Sequence, residues 1–272
     1  MPPLVIFYSF ASFIFGAVVG SFLNVCICRL PKNESIVFPP SHCPTCDYRI
    51  PWYDNVPIIS YLILRGKCRS CKARISIQYP LVELVTALLT LFLFMRFGPH
   101  PPYHGISSWL PFLIHFLFCS AMVVVTFIDL EHQIIPDVIS LPGIVAGFIF
   151  SFFIPQIGWL NSLIGIVVGG GSLWLVASGY ELLTKKEGMG GGDIKLLAMM
   201  GAFFGWKAIP FIIFVSSLVG SVIGVTVMLI RKKDAKLAIP FGPFLALGAV
   251  LYIFFGSQLI HLYLSLSGIT GG

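Results

Sequence analysis

Eight apolar stretches follow one another along the chain, at residues 4–28, 80–97, 109–128, 138–154, 159–183, 194–204, 209–230 and 240–264, and they constrain the fold more than any other feature. A lipid core takes about 20 apolar residues per helix, and inside it each backbone amide must find its partner within its own segment. Only 10% of the 272 residues are Asp, Glu, Lys or Arg, against about 25% in a soluble domain, and mean hydropathy is +0.94. Too few charges remain to coat a water-facing surface. A soluble globule, a disordered chain and a disulfide-knit secreted domain are excluded, and the pattern predicts an all-α polytopic membrane protein with about eight transmembrane helices. The sixth stretch is short, which is tolerable where protein rather than lipid surrounds it.

Lys and Arg placement sets orientation. Eight lie in 29–79, three at Lys185, Lys186 and Lys195, and four at Arg231, Lys232, Lys233 and Lys236. With these regions cytoplasmic, only Arg96 and Lys207 fall on the outer side, so the N-terminus is expected outside. The net charge of +6 then belongs to topology and the anionic inner leaflet, with no nucleic acid implied. No Lys or Arg precedes the first stretch and its positive flank follows it, so it is expected to persist as an anchor rather than be cleaved. The expected organisation is 1–28 as a first transmembrane helix, 29–79 as a cytoplasmic insert and 80–272 as a helical bundle. No internal repeat is evident.

Four of the seven cysteines form two CxxC pairs, Cys43/Cys46 and Cys68/Cys71, separated by 21 residues. This is close to a four-cysteine zinc spacing. Each pair grips one face of the ion and the second closes the tetrahedron, leaving no open position, so Zn²⁺ is expected to be structural. It would fold a loop too short to build its own core. Redox pairs are the alternative. Cys26, Cys28 and Cys119 read as packing residues, and His42 as a bystander.

Carboxylates within or at the edge of spans mark function by default. Asp129 follows the third stretch, Asp193 opens the sixth behind Gly190, Gly191 and Gly192, and the topology puts both at the cytoplasmic edge. Two carboxylates held together share a proton, the arrangement of an aspartic protease in which one activates water and the other polarises a carbonyl. The glycines remove side chains where a substrate backbone would approach and permit positive φ. Helix dipoles bias Asp193 toward the ionised form and Asp129 toward the protonated one. Each residue also has a plainer reading: Asp193 as an N-cap, Asp129 as an interfacial charge, Asp137 as an N-cap, and Gly169–Gly170–Gly171 as a site of close helix approach. Glu83, early in the second span, needs a partner, with Arg74 or Lys72 as candidates.

Asp129, Ile135-Pro136-Asp137 and Gly190-Gly191-Gly192-Asp193-Ile194-Lys195-Leu196 together resemble the paired signature of the type IV prepilin peptidases, which are GxGD-type intramembrane aspartic proteases. Gly20-Ser21-Phe22-Leu23-Asn24-Val25, the CxxC pairs, Asn55-Val56-Pro57, Arg65-Gly66-Lys67-Cys68 and Tyr79-Pro80-Leu81-Val82-Glu83 resemble the same family's N-terminal part, and Phe241-Gly242-Pro243-Phe244 its last span. The resemblance runs nearly end to end. It implies a bifunctional enzyme of the bacterial inner membrane that cuts the leader from prepilins or type II secretion pseudopilins at the cytoplasmic face. It would then N-methylate the new terminus with S-adenosylmethionine. By that resemblance the catalytic pair is Asp129 and Asp193, and the methylation candidate is Glu83 within 29–83. A basic leader gains nothing from the basic insert, which leaves Glu131, Asp137 or the lipid surface to recognise it. The competing readings are a cation- or proton-coupled transporter using Asp129, Asp193 and Glu83, and a zinc-dependent scaffold without chemistry.

Overall fold

The computed structural model describes residues 3–99, 105–154, 157–185, 190–231 and 239–266; Lys186, Gly188, Lys232, Lys233 and Lys236 lie outside the described residues. Among the described residues there are helices and no strands. The order is α1 (Pro3–Arg29), α2 (Ile59–Ile63), α3 (Gln78–Phe97), α4 (Leu110–His132), α5 (Asp137–Ser151), α6 (Trp159–Thr184), α7 (Gly191–Phe204), α8 (Ala208–Arg231) and α9 (Gly242–Leu266). Apart from the short α2, each helix falls on one expected apolar stretch. Five of them are long and apolar enough to cross a membrane, and α5 and the start of α9 are shorter apolar helices. The backbone forms two compact units, Met1–Val124 and Val125–Gly272.

In the first unit α1 packs on α3 through small residues. A Cβ on Gly20 would lie 2.7 Å from the Glu83 Cα, and one on Gly16 would strike Thr90. The Asn24 amide donates to the Tyr79 carbonyl at 3.0 Å. The buried thiols Cys26 and Cys119 serve as packing, and Cys28 sits 3.6 Å from the Tyr79 hydroxyl.

The second unit explains the short sixth helix. At 1.5 Å per residue, 14 residues reach about 21 Å, less than the ~30 Å of a hydrocarbon core. Yet α7 is buried continuously from Leu196 to Phe203, so protein rather than lipid surrounds it. Glycines bring its neighbours close. Gly165 of α6 meets Gly201 of α7 backbone to backbone, and a Cβ on Gly169 would sit 2.5 Å from the Leu197 carbonyl oxygen. The Ser162 hydroxyl donates to the Ala202 carbonyl at 2.7 Å. Close approach thus accounts for Gly169, and for Gly170 against Ala198, whereas Gly171 faces open space. On the far side, Ser216 of α8 donates to the Phe244 carbonyl of α9 at 2.9 Å.

Candidate active site and metal centre

The insert between α1 and α3 is built from two copies of one knuckle. In the first, the Cys43 amide donates to the Tyr48 carbonyl and the Asp47 amide to the Cys43 carbonyl, at 3.0 and 2.9 Å. In the second, the Cys68 amide donates to Ala73 and the Lys72 amide to Cys68, at 2.8 and 3.1 Å. The bridges His42–Arg49 and Lys67–Arg74 close them, and Asp47 and Lys72 take positive φ at the same place in each. Every equivalent pair is 25 residues apart. This is an internal repeat that the sequence conceals, because the copies share little besides their cysteines. The ion pair of Arg69 and Asp54, at 2.6 and 2.7 Å, ties the second knuckle to the 3-10 turn Trp52–Asp54. Arg69 holds the Asp54 carboxyl below its ordinary range.

The four sulfurs of Cys43, Cys46, Cys68 and Cys71 lie within 4.8 Å of one another, and Cys43 and Cys71 are 3.8 Å apart. A tetrahedron of thiolates at ~2.3 Å from zinc has edges of about 3.8 Å, so these residues fit the ion. The Thr45 amide leads the groups that draw the Cys43 thiol down to about 6, against the opposing effect of burial. An anionic sulfur there is ready to ligate. His42 is not part of the cluster; its ring nitrogen is 3.1 Å from the Pro40 carbonyl.

Glu83, on the sixth position of α3, is 8% exposed. Neither Arg74 nor Lys72 is its partner. The Ile58 amide donates to its Oε2 at 2.7 Å, and Ser21 also hydrogen-bonds the carboxylate. Backbone and hydroxyl donors serve where a flexible cation would have to leave water. The cleft lined by Thr86, Thr90, Cys119 and Ser120 holds about 150 Å³, open solvent included. That is below the ~300 Å³ at which small-molecule pockets begin, so it does not fit S-adenosylmethionine.

In the second unit, Asp129 occupies the last turn of α4 and is 5% exposed. Gln133, at φ 55, ends the helix by donating its amide to the Asp129 carbonyl at 2.9 Å. The Gly242 amide, at the start of α9, donates to the Asp129 Oδ2 at 2.9 Å. Asp193 is the third residue of α7, and its Oδ1 is buried with no hydrogen-bond partner among the described residues. The two carboxyl groups are close enough to interact electrostatically. Ile135 packs between their supports: a Cβ on Gly192 would lie 2.9 Å from the Ile135 Cβ, and one on Gly242 would lie 3.2 Å from its Cδ1. Gly190 and Gly191 face open space. No positive φ is used in this run; Gly190 is extended at φ −70, so the glycines act by lacking side chains. Asp137, the first residue of α5, pairs with Lys195 at 2.7 and 2.8 Å. Glu131 and His132 are exposed. Sequence reasoning gave no role to Gly242 or Ile135, although both stand inside quoted motifs.

Among the described residues, a helical fold with several membrane-length helices, an aspartate pair at helix ends and a four-cysteine insert points to a class of membrane enzyme. The chain belongs to the type IV leader peptidase family. The model of the bacterial peptidase A24 N-terminal domain matches residues 14–97, and that of the type IV leader peptidase family matches residues 116–225. The prepilin leader peptidase/N-methyltransferase of Pseudomonas aeruginosa is 39% identical over 276 residues, covering 93% of this chain and 92% of the relative. The protein of that name from Aeromonas salmonicida is 36% identical over 93% and 92%, and that from Neisseria gonorrhoeae 38% over 85% and 84%. No solved structure matches the chain.

Proposed function

We propose that this protein is an aspartic endopeptidase that removes the leader of type IV prepilins or type II secretion pseudopilins at the cytoplasmic face of the bacterial inner membrane. It then N-methylates the exposed residue with S-adenosylmethionine. The N-terminus lies outside, and Zn²⁺ held by Cys43, Cys46, Cys68 and Cys71 keeps the insert folded. Glu83 is the residue proposed for the methylation half.

The observation that carries the reading is the unlike bonding of the paired acids. Asp129 accepts an amide hydrogen from Gly242, which favours its ionised form. Among the described residues the Asp193 Oδ1 has no such donor, and next to a second carboxylate it is the better place for the shared proton. This reverses the assignment expected from helix dipoles, because a direct hydrogen bond outweighs a partial charge spread over a helix end. Asp129 takes a proton from water as the oxygen attacks the scissile carbonyl, and Asp193 gives its proton to the developing oxyanion. Asp129 then returns its proton to the departing nitrogen while Asp193 takes one back from the gem-diol hydroxyl, which breaks the C–N bond, re-forms the carbonyl and restores the pair. The open side of Gly190 and Gly191 leaves room for the substrate backbone.

A transporter reading would put its carboxylates near mid-membrane, whereas Asp129 and Asp193 sit in end turns of their helices. The test is cleavage of a purified prepilin. Activity is lost in Asp129→Asn and in Asp193→Asn; full cleavage in either variant refutes the reading.

A further inference from the structure

The insert contains a backbone outlier at an informative place. Ile58 has φ 63 and ψ −50, and the Ile59 amide donates to the Pro57 carbonyl at 2.6 Å. This is a γ-turn of the rare positive-φ hand. For a β-branched residue such a conformation is strained and persists only where the surroundings enforce it. The turn aims the Ile58 amide at the buried Glu83 carboxylate, and α2 begins at the next residue.

That bond fixes depth. Glu83 lies five residues inside α3, a candidate span from Gln78 to Phe97, hence about 7.5 Å from the helix start. A segment bonded there cannot stand off in water above the membrane. It lies beside the helix at the level where hydrocarbon gives way to headgroups. The side chains of α2 match that level: Ile59, Leu62 and Ile63 are 56, 67 and 71% exposed. In water three neighbouring aliphatic side chains would be a liability. Arg65 and Lys67 follow directly, as cations flank an apolar segment at an anionic interface.

We propose that α2 is an interfacial anchor, with Ile59, Leu62 and Ile63 seated in the acyl–headgroup boundary of an anionic bilayer and the Ile58–Glu83 bond setting its depth. The insert is then a surface-bound module rather than a soluble appendage, whatever reaction the protein performs.

The test uses the full-length, zinc-loaded protein in nanodiscs of mixed neutral and anionic phospholipid. Trp52, Trp109, Trp159, Trp174 and Trp206 are changed to Phe, and Leu62→Trp supplies the probe. Emission at this position is quenched by phospholipid brominated near the headgroup and little affected by acrylamide in the buffer. Strong acrylamide quenching with no effect of brominated lipid overturns the proposal. So does protection from both quenchers with chemical cross-linking to a dimer, since a second copy then covers the face. If Leu62→Trp does not fold, Ile63→Trp in the same background gives the same readout.

Discussion

Gly242→Ala probes the proposed active site without touching either acid. The added Cβ would lie 2.6 Å from the Asp129 Oδ2 and 3.2 Å from the Ile135 Cδ1. That is about 0.7 Å short of the ~3.3 Å at which carbon–oxygen contacts become comfortable. The Asp129 carboxylate and the Ile135 side chain are what the methyl group meets, so the carboxylate turns away and the 2.9 Å bond from the Gly242 amide is lost. A hydrogen bond to a charged group is worth about 1.5–3 kcal/mol, which converts to roughly a ten- to 150-fold loss of rate. Folding is weakened by no more than about 2.5 kcal/mol on balance. Overpacking costs about 1–3 kcal/mol, and replacing a helical glycine returns about 0.5–1 kcal/mol. The assay is single-turnover cleavage of a purified prepilin in detergent, with a thermal melt of each variant. Gly171→Ala, whose Cβ would meet nothing within 4 Å, is the matched control and keeps full activity. If Gly242→Ala cleaves within threefold of the parent, the amide does not hold Asp129 in its working geometry.

The Asp137–Lys195 pair is partly exposed, 56% and 39% at its side chains, and so is worth no more than about 1 kcal/mol in stability. It nevertheless fixes the first turn of α7 two residues beyond Asp193; Asp137→Lys is expected to slow cleavage several-fold, and the swap Asp137→Lys with Lys195→Asp to restore it. Cys43→Ser with Cys68→Ser should abolish stoichiometric zinc in a metal assay and expose the insert to limited proteolysis. The Cys43 thiol lies near 6 while its neighbour Cys71 is pushed up to about 11, so falling pH protonates the ligands in turn, and zinc content measured after dialysis should decline in acid. Asp54, held low by Arg69, contributes stability above its ordinary range and loses it as pH falls through its lowered value, so acid should raise amide exchange around the second knuckle.

Much of the architecture was legible because a bilayer leaves few alternatives to apolar helices. The eight stretches became eight helices, and even the short sixth announced its burial, since a helix of that length has to be wrapped in protein. The four cysteines were legible for a similar reason: four thiols that could hold a metal ion need a spacing that survives in sequence. What stayed hidden depended on backbone geometry. The 25-residue repeat of the knuckles lives in hydrogen bonds and in the positive φ of Asp47 and Lys72, two residues with nothing in common chemically. The partner of Glu83 was sought among cations, but a backbone amide filled the role. The glycine run before Asp193 reads in sequence as removing side chains and permitting positive φ; only the first is used, Gly192 being required by Ile135 and its two predecessors facing open space.

The support of Asp129 also shows how far the proposed site extends along the chain. The peptidase family model matches residues 116–225 and so contains both acids, yet the amide that distinguishes them comes from residue 242, 113 positions beyond Asp129. Asp129 and Asp193 sit in turns of α4 and α7 whose own backbones cannot make them unequal in this sense. A third element must arrive with an N–H that no intrahelical carbonyl claims, and the first turn of a helix is where such groups occur. The opening of α9 supplies it, and only a residue without a side chain lets that turn come so near the carboxylate. The residue after it, Pro243, has no amide hydrogen and a φ suited to the first turn of a helix. A chain ending before Gly242 would thus retain both aspartates and still lack the means to tell base from acid.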